Sequence, residues 1–344
     1  MAYKYLFFSD YSEGCHPRIL ECLSRTNLSQ EIGYGEDTIS LEAAKLLKEK
    51  IRIQNVDIHF VSGGTQANLI SLASMLRPYE SIISADTGHI NTHEAGAVEA
   101  TGHKIDSFRN PEGKVTPETI QCLVVEHRDE HMVKPRVVFI SQPTEVGTIY
   151  LKKELEALLQ VCKESNLYLF LDGARLGSAL TAKDADLDLK TIASLVDLFY
   201  IGGTKNGALL GEAIVVVNDA LKPEFRRHLK QRGALLAKGR VLGSQFLELF
   251  RNNLYFDLAS HANAMAGKLS RGIKDLDFGF LTDSRTNQIF PILPNDLIEK
   301  LNKLYGFYVW SKIDDSHSSI RLVTSWATRE EAVDEFLSDL RRLK

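Results

Sequence analysis

Short apolar runs in the middle of the chain constrain its fold more than any other feature. Four of them cover Val137–Ser141, Tyr168–Leu171, Leu198–Ile201 and Ala213–Val217. Runs that are apolar at consecutive positions are typical of strands covered on both faces. Helical segments separate them, and Lys152–Glu164 repeats its apolar residues at the spacing of an amphipathic helix. This alternation predicts an α/β fold built on a mostly parallel sheet with helices on both faces.

The pattern changes beyond about residue 220, which indicates a second domain. A basic helical segment, Lys222–Lys230, leads into a helix-rich stretch that continues to about Leu276. The predicted elements after it are three short strands and a closing helix, at Asn287–Leu293, Phe307–Trp310, Ser319–Val323 and Glu330–Leu343. Helices packed on a few strands form an α+β unit. We therefore predict a large domain over residues 1–245, including an N-terminal arm, and a small α+β domain over residues 246–344.

Charge and hydrophobic patterning exclude several classes of function. The formal net charge is −4, so no basic surface is predicted that would bind nucleic acid or an anionic membrane. No apolar run reaches the roughly 18 residues that cross a bilayer, and Asp10 interrupts the N-terminus too early for a signal peptide. The four cysteines match neither a zinc site nor a redox pair. We expect a cytoplasmic protein with free thiols and no bound metal, acting on a small molecule.

Two charged residues follow two of the predicted strands. Asp172 ends the run Tyr168–Leu171, and Lys205 comes shortly after Leu198–Ile201. In open α/β sheets, ligands bind outside the carboxyl ends of the strands. Pyridoxal phosphate needs a lysine that forms a Schiff base with its aldehyde and an acid that keeps its pyridine nitrogen protonated. The pair is therefore a candidate site for this cofactor, although either residue alone is more often a helix cap or a surface charge.

A phosphate site is predicted at Gly64 and Thr65. Both lie in S-G-G-T-Q-A-N, residues 62–68, between the predicted strand Asp57–Val61 and a predicted helix. Glycines let the backbone approach an anion, and the first N–H groups of the helix point toward it. The segment fits neither the P-loop nor the dinucleotide fingerprint. A plain helix start with a small-residue turn is the other interpretation.

Three further residues are candidates for the site. His89 follows a predicted strand, where an imidazole can stack on a flat cofactor, relay protons or simply be a hydrogen-bonded loop histidine. Arg175 lies three residues after Asp172 and is well shaped to bind a carboxylate at two points. Arg321 interrupts an apolar strand, so its partner is either a substrate carboxylate or an internal acid.

These motifs together resemble the L-threonine aldolase and β-eliminating lyase family of pyridoxal phosphate enzymes, which have the aspartate aminotransferase fold (fold type I). The resemblance covers nearly the whole chain. In chain order, the matching motifs are F-F-S-D at 7–10, Y-G-E-D at 34–37, G-G-T-Q-A-N at 63–68, G-H at 88–89 with E-A-G at 94–96, D-G-A-R at 172–175, T-K-N-G at 204–207 and R-L-V-T-S-W at 321–326.

The resemblance implies a role for each candidate residue. Lys205 would carry the cofactor, Asp172 would pair with its ring nitrogen, and His89 would stack on the ring. The phosphate would be held by Gly64 and Thr65. The substrate carboxylate would be bound by Ser9, Arg175 and Arg321, of which Arg175 would also lie in the cofactor site.

The resemblance also implies an activity. The expected function is cleavage of L-threonine, L-allo-threonine and similar β-hydroxy amino acids to glycine and an aldehyde. A β-eliminating lyase is the alternative, and a non-catalytic α/β binding protein is a remote one. The identity of the catalytic base stays open. His89 is the nearest candidate, and His127 and His131 are candidates to assist it. The expected assembly is a homo-oligomer, a dimer or tetramer, with its active site at the subunit interface.

The sequence departs from the family pattern at three places. Near the N-terminus it has Ser9-Asp10-Tyr11-Ser12-Glu13, and around the lysine it has Thr204-Lys205-Asn206-Gly207-Ala208. The glycine-rich turn near residue 235 reads A-L-L-A-K-G-R, where Lys238 or Arg240 is expected to supply the basic residue that reaches a neighbour's phosphate. These departures affect the predicted substrate and subunit contacts more than the cofactor chemistry.

Overall fold

The computed structural model describes residues 3–344, so the first two residues of the predicted large domain lie outside it. The strands are β1 Tyr5–Leu6, β2 Asp57–Val61, β3 Glu80–Ala85, β4 Ile105–Phe108, β5 Lys134–Ser141, β6 Tyr168–Asp172, β7 Leu198–Gly202, β8 Glu212–Val216, β9 Gln288–Ile289, β10 Ile292–Pro294, β11 Tyr305–Gly306, β12 Tyr308–Lys312 and β13 His317–Val323.

The helices surround these strands. They are α1 Pro17–Thr26, α2 Thr38–Ile51, α3 Gly64–Met75, α4 His89–Thr92, α5 Pro117–Glu126, α6 Lys152–Glu164, α7 Leu176–Leu180, α8 Leu189–Leu195, α9 Phe225–Gln231, α10 Arg240–Phe250, α11 Leu254–Lys274, α12 Asn295–Asn302 and α13 Glu330–Leu343. Short 3₁₀ turns cover Glu99–Thr101, Thr204–Asn206, Asp219–Leu221 and Arg251–Asn253. None of the helices in residues 3–344 is long and apolar enough to span a membrane.

A seven-stranded sheet forms the large part of the molecule, in the order β2-β8-β7-β6-β5-β3-β4. The pairs from β4 through β7 are parallel, and only β8 runs against its neighbours β7 and β2. The predicted mostly parallel α/β sheet is therefore confirmed. An apolar core lies on each face of this sheet. Val138 of β5 packs in the core on one face, and the preceding residue, Val137, packs in the core on the other face. Covering on both faces is the physical reason why the central strands are continuously apolar.

A smaller antiparallel sheet forms the C-terminal part. Its order is β10-β13-β12, with β9 also paired to β13. The predicted single strand Asn287–Leu293 is divided into β9 and β10 because Pro291 has no N–H to continue the ladder. The N-terminal arm joins this part of the molecule: β1 pairs with β11, and Phe7 is fully buried in the C-terminal core.

The packing of α10 and α11 bears on where the two domains divide. Phe246 and Phe250 of α10 lie in the core of the large sheet, as does Leu258 of α11. The C-terminal core includes Met265 of the same helix. We therefore propose that the domains divide inside α11 rather than near residue 245. The predicted boundary lies within α10, whose residues are buried almost throughout because they pack on α2 and α1.

Candidate active site

Six of the predicted site residues line one cavity at the carboxyl end of the large sheet. The cavity has a volume of about 330 Å³, and these residues are Gly64, Thr65, His89, Asp172, Arg175 and Lys205. A second cavity of about 630 Å³ adjoins it and is lined by Arg321. Both cavities share His89, Arg175 and Lys205. Ser9 lines neither of them, and its hydroxyl lies 3.1 Å from the hydroxyl of Ser12.

The strand ends that carry Asp172 and Lys205 lie very close together. A Cβ atom at Gly173 would lie 1.9 Å from the carbonyl oxygen of Tyr200, and one at Gly202 would lie 2.1 Å from that of Ala174. Only glycine fits at such approaches. The glycines in D-G-A-R and I-G-G-T-K thus bring the end of β6 against the end of β7. Lys205 then projects from the 3₁₀ turn directly after β7.

Asp172 is a buried carboxylate held by three donors. Its Oδ1 accepts hydrogen bonds from the Tyr200 hydroxyl at 2.5 Å and the Ala174 N–H at 2.9 Å, and its Oδ2 accepts from Asn68 Nδ2 at 3.4 Å. Burial, and then the charge of Asp172, raise the pKa of Tyr200 well above its usual value. Tyr200 therefore keeps its proton and acts as a donor. The three donors fix the position of the Asp172 carboxyl at the end of β6.

Lys205 lines both cavities and has no protein partner among the described residues. Its Nζ makes no hydrogen bond or ion pair with any residue in the described part of the chain. Burial, and then the positive charge of Arg175, lower its pKa. A lower pKa increases the fraction of neutral amine, which is the nucleophilic form. Nearby Glu212 accepts a hydrogen bond from the Gly203 N–H, and burial raises its pKa to about 8.

His89 is oriented by a buried acid. Its Nδ1 lies 2.9 Å from Glu94 Oε1, which also accepts a hydrogen bond of 2.7 Å from Asn68 Nδ2. Since Asn68 contacts Asp172 as well, one amide links the two sides of the cavity. The hydrogen bond to Glu94 fixes the orientation of the imidazole ring.

The start of α3 opens onto the cavity without a capping side chain. Gly63 is the N-cap residue, and its backbone is extended. The neighbouring Ser62 is occupied locally, because its N–H and hydroxyl both donate to the side chain of Gln66. Free N–H groups at the first turn of a helix form an anion site. Thr65, exposed in the same turn, adds a hydroxyl.

The predicted carboxylate-binding residue Arg175 is already occupied by an acid. Its Nε and Nη2 donate to the two oxygens of Asp10, at 2.6 and 3.0 Å, and Asp10 also accepts from Asn287 Nδ2 at 2.9 Å. Although burial opposes it, the charges of Arg175 and Lys205 lower the pKa of Asp10. The sequence predicts no role for Asp10 in the site. The only available signal was its place beside Ser9 in the F-F-S-D motif.

Arg321 has no acid to pair with in residues 3–344. Its Nη2 donates to the carbonyl oxygen of Phe8 at 3.3 Å, while its Nε is buried without a partner. The guanidinium carbon lies 5.4 Å from the ring centre of Tyr308 and 5.1 Å from that of Trp310. Of the two partners left open for this residue, the internal acid is not found among the described residues.

Glu145 is a site residue that sequence reasoning missed. It lines both cavities, and its Oε1 accepts hydrogen bonds from the Ser141 hydroxyl at 2.7 Å and the His89 N–H at 3.0 Å. Burial, and then the charge of Asp172, raise its pKa. The one signal in the sequence was an acid four residues after the end of an apolar strand.

Two histidines suggested as assistants lie elsewhere. His127 ends α5, where its Nδ1 lies 2.8 Å from the Leu123 carbonyl oxygen and its Nε2 lies 3.5 Å from Asp106. Neither His127 nor His131 lines either cavity. Within residues 3–344, no three His, Cys, Asp or Glu side chains come together as a metal-binding group.

Comparisons with known proteins agree with this geometry. The sequence model of the beta-eliminating lyase family matches residues 7–295. The low specificity L-threonine aldolase of Pseudomonas sp. (strain NCIMB 10558) is 34% identical, with 97% of this chain and 96% of the relative covered. The corresponding Pseudomonas aeruginosa protein is 33% identical over the same shares.

Solved structures extend the comparison to the fold. A Leishmania major threonine aldolase has a TM-score of 0.97 and 48% identity, with 98% of this chain and 99% of that chain covered. A Thermus thermophilus aspartate aminotransferase has a TM-score of 0.74 at 16% identity, covering 99% and 92% of the two chains. The second likeness shows that the fold is that of the aspartate aminotransferases.

Proposed function

We propose that this chain, which belongs to the beta-eliminating lyase family, cleaves L-threonine, L-allo-threonine and related β-hydroxy amino acids to glycine and an aldehyde. It is a lyase, and its cofactor is pyridoxal phosphate. The observation that carries the proposal is that one cavity holds both Lys205, which has no partner within residues 3–344, and the buried carboxyl of Asp172. The names of the matched relatives give the substrate class.

The residues of the cavity fit this cofactor. We propose that Lys205 binds its aldehyde carbon, that Asp172 accepts a hydrogen bond from its ring nitrogen, and that the α3 start at Gly64 and Thr65 holds its phosphate. His89 would cover one face of the ring, oriented by Glu94. When bound, pyridoxal phosphate supplies a ring that accepts the electron pair left on Cα as a bond to Cα breaks.

The arginines orient the substrate. Arg321 would bind the substrate carboxylate, since it lines the second cavity and has free donors there. Arg175 would contribute less than the sequence suggested, because two of its nitrogens donate to Asp10. Holding the carboxylate fixes which bond to Cα is aligned for cleavage, which is an orientation effect. The lowered pKa of Lys205 leaves more of its amine neutral and able to react.

Product analysis tests the proposed function. Purified protein supplied with pyridoxal phosphate should convert L-threonine to equal amounts of glycine and acetaldehyde, and L-phenylserine to glycine and benzaldehyde. A 2-oxo acid and ammonia would instead show β-elimination, the second candidate, which the family's name favours. A Lys205→Ala variant should lose the yellow colour and all turnover. If no β-hydroxy amino acid gave either set of products, the proposal would be overturned.

We also propose a homo-oligomer, a dimer or tetramer, with the active site at the subunit interface. Leu28 is 92% exposed and Ile32 68% exposed, which is unusual for two large apolar residues so close in the chain. Arg240 donates to the carbonyl oxygens of Asn27 and Ser29 in its own chain, which leaves exposed Lys238 as the basic residue free to reach a partner.

Sedimentation analysis tests this assembly. The unsubstituted protein should sediment as a dimer or tetramer, and Leu28→Asp should shift it toward the monomer. A monomeric unsubstituted protein at micromolar concentration would overturn the assembly.

The four free cysteines, of which only Cys122 is exposed, support the further proposal that the protein works in the reducing cytoplasm.

A further inference from the structure

Glu145 is held at the tip of a rigid turn between β5 and α6. The side chain of Gln142 bonds the backbone of Tyr150 through both its oxygen and its nitrogen, at 2.8 and 3.0 Å. Within this loop the Thr144 N–H donates to the Thr148 carbonyl oxygen at 2.9 Å. The position of the Glu145 carboxyl is therefore fixed by backbone contacts on both sides of it, as a reacting group requires.

The two oxygens of this carboxyl have different surroundings. Oε1 accepts two hydrogen bonds, from Ser141 and from the backbone of His89, whereas Oε2 accepts none from a described residue. No lysine, arginine or histidine side chain in residues 3–344 lies within ion-pair distance of Glu145. Glu145 also supplies the only carboxyl in the described chain that lines both cavities.

The other candidates for a base are less suitable. The Nδ1 of His89 is bound to Glu94, and its ring is assigned to the cofactor. His93 is exposed and lines only the second cavity. Asp172 already accepts three hydrogen bonds, and its proposed partner is the ring nitrogen. Glu145 is left as a fixed carboxyl with one free oxygen at the junction of the cofactor and substrate cavities.

We propose that the carboxylate of Glu145 is the base that takes the proton of the substrate's β-hydroxyl group. As that O–H bond breaks, its electrons form the C=O bond of the aldehyde, and the Cα–Cβ bond breaks with its electron pair left on Cα. Cα gains one proton in becoming glycine, which balances the proton lost by the hydroxyl. When Glu145 gives up the proton that it took, its carboxylate is restored, so the cycle needs no other reactant. Burial raises the pKa of Glu145, and a base with a higher pKa takes a proton more readily.

This inference rests on the proposed function, and two substitutions at Glu145 test it. In Glu145→Gln an amide oxygen can still accept from Ser141 and the His89 N–H, whereas in Glu145→Ala both bonds are lost. A base role predicts that both variants lose about 10²- to 10⁴-fold in kcat for L-threonine cleavage. A purely structural role predicts that the glutamine variant keeps its activity. The matched control is Glu156→Gln on the exposed surface of α6, which should stay within twofold of the unsubstituted enzyme.

A second readout separates chemistry from cofactor binding. The visible absorption of the bound cofactor, its dissociation constant and the thermal midpoint should be unchanged in Glu145→Gln. Cleavage within tenfold of normal in this variant, or loss of its cofactor, would overturn the inference while the proposed function stands. If the unsubstituted enzyme released no aldehyde from any β-hydroxy amino acid, the proposed function would fail and the inference with it.

Discussion

The Asp10–Arg175 pair offers a sharp test of what holds the site together. Asp10 is fully buried, and only 15% of the Arg175 side chain is exposed. Asp10→Asn keeps the size of the side chain but removes its charge. One of the two Arg175 hydrogen bonds must also be lost, because an amide has only one acceptor oxygen. If the amide nitrogen takes the place of Oδ2, the bond from Asn287 is lost as well. Arg175 then stays buried without its hydrogen-bonded counterion.

The expected cost follows from this burial. Breaking a buried ion pair by removing one partner costs about 3–5 kcal/mol in the free energy of unfolding. For a chain of 344 residues this corresponds to a fall in Tm of about 4–7 °C. Urea unfolding and calorimetry of the holoenzyme measure the two quantities. Asp296→Asn, in the exposed pair of Asp296 with Lys300 on α12, is the matched control and should change stability little.

A double substitution makes the test specific to the pair. Asp10→Asn combined with Arg175→Met removes both charges, so we expect it to be less destabilised than the sum of the single variants. A Tm of Asp10→Asn within 1 °C of the unsubstituted enzyme would refute the reasoning. It would mean that the charge of Asp10 does not stabilise Arg175.

Three further predictions concern the site and its frame. Asp172→Asn should keep bound pyridoxal phosphate, seen by its visible absorption, but lose most of the aldehyde release; full activity would contradict the assignment. Arg321→Leu should lower kcat/KM for L-threonine about ten- to hundredfold, because it removes charge-assisted hydrogen bonds of about 1.5–3 kcal/mol, whereas an unchanged value would exclude carboxylate binding there. Although burial opposes it, hydrogen bonds from Lys4 and Arg342 lower the pKa of Asp339 to about 2. The ionised carboxylate of Asp339 therefore stabilises the fold above about pH 4, and this stabilisation is lost as the pH falls toward 2. Asp339→Asn should flatten the fall in unfolding free energy over that range. An equally steep fall in the variant would show that Asp339 does not contribute.

Much of the fold followed from periodicity alone. The helix predicted at Lys152–Glu164 has those bounds as α6, and the closing helix Glu330–Leu343 has them as α13. Strand direction was not predictable in the same way. A buried strand carries the same apolar run whichever way it points, so the antiparallel placement of β8 left no trace in the sequence.

Some contacts of the site were predictable from the sequence, and others were not. Asp172 and Lys205 follow strands whose carboxyl ends must meet, so topology predicts that they share a cavity. The contact between Asp10 and Arg175 joins residues 165 positions apart, and it depends on how the N-terminal arm crosses the small domain. The position of the Glu145 carboxyl in the site depends on the path of a single loop. Neither position belongs to a local pattern that could have revealed its partner.

Locating the cofactor on the chain tests the central claim most directly. Reduction of the purified holoenzyme with borohydride, followed by proteolysis and mass spectrometry, should find the pyridoxyl group on the peptide that contains Lys205 and on no other. The visible absorption band should vanish at the same time. A label on a different lysine, or a protein that takes up no pyridoxal phosphate, would contradict the account.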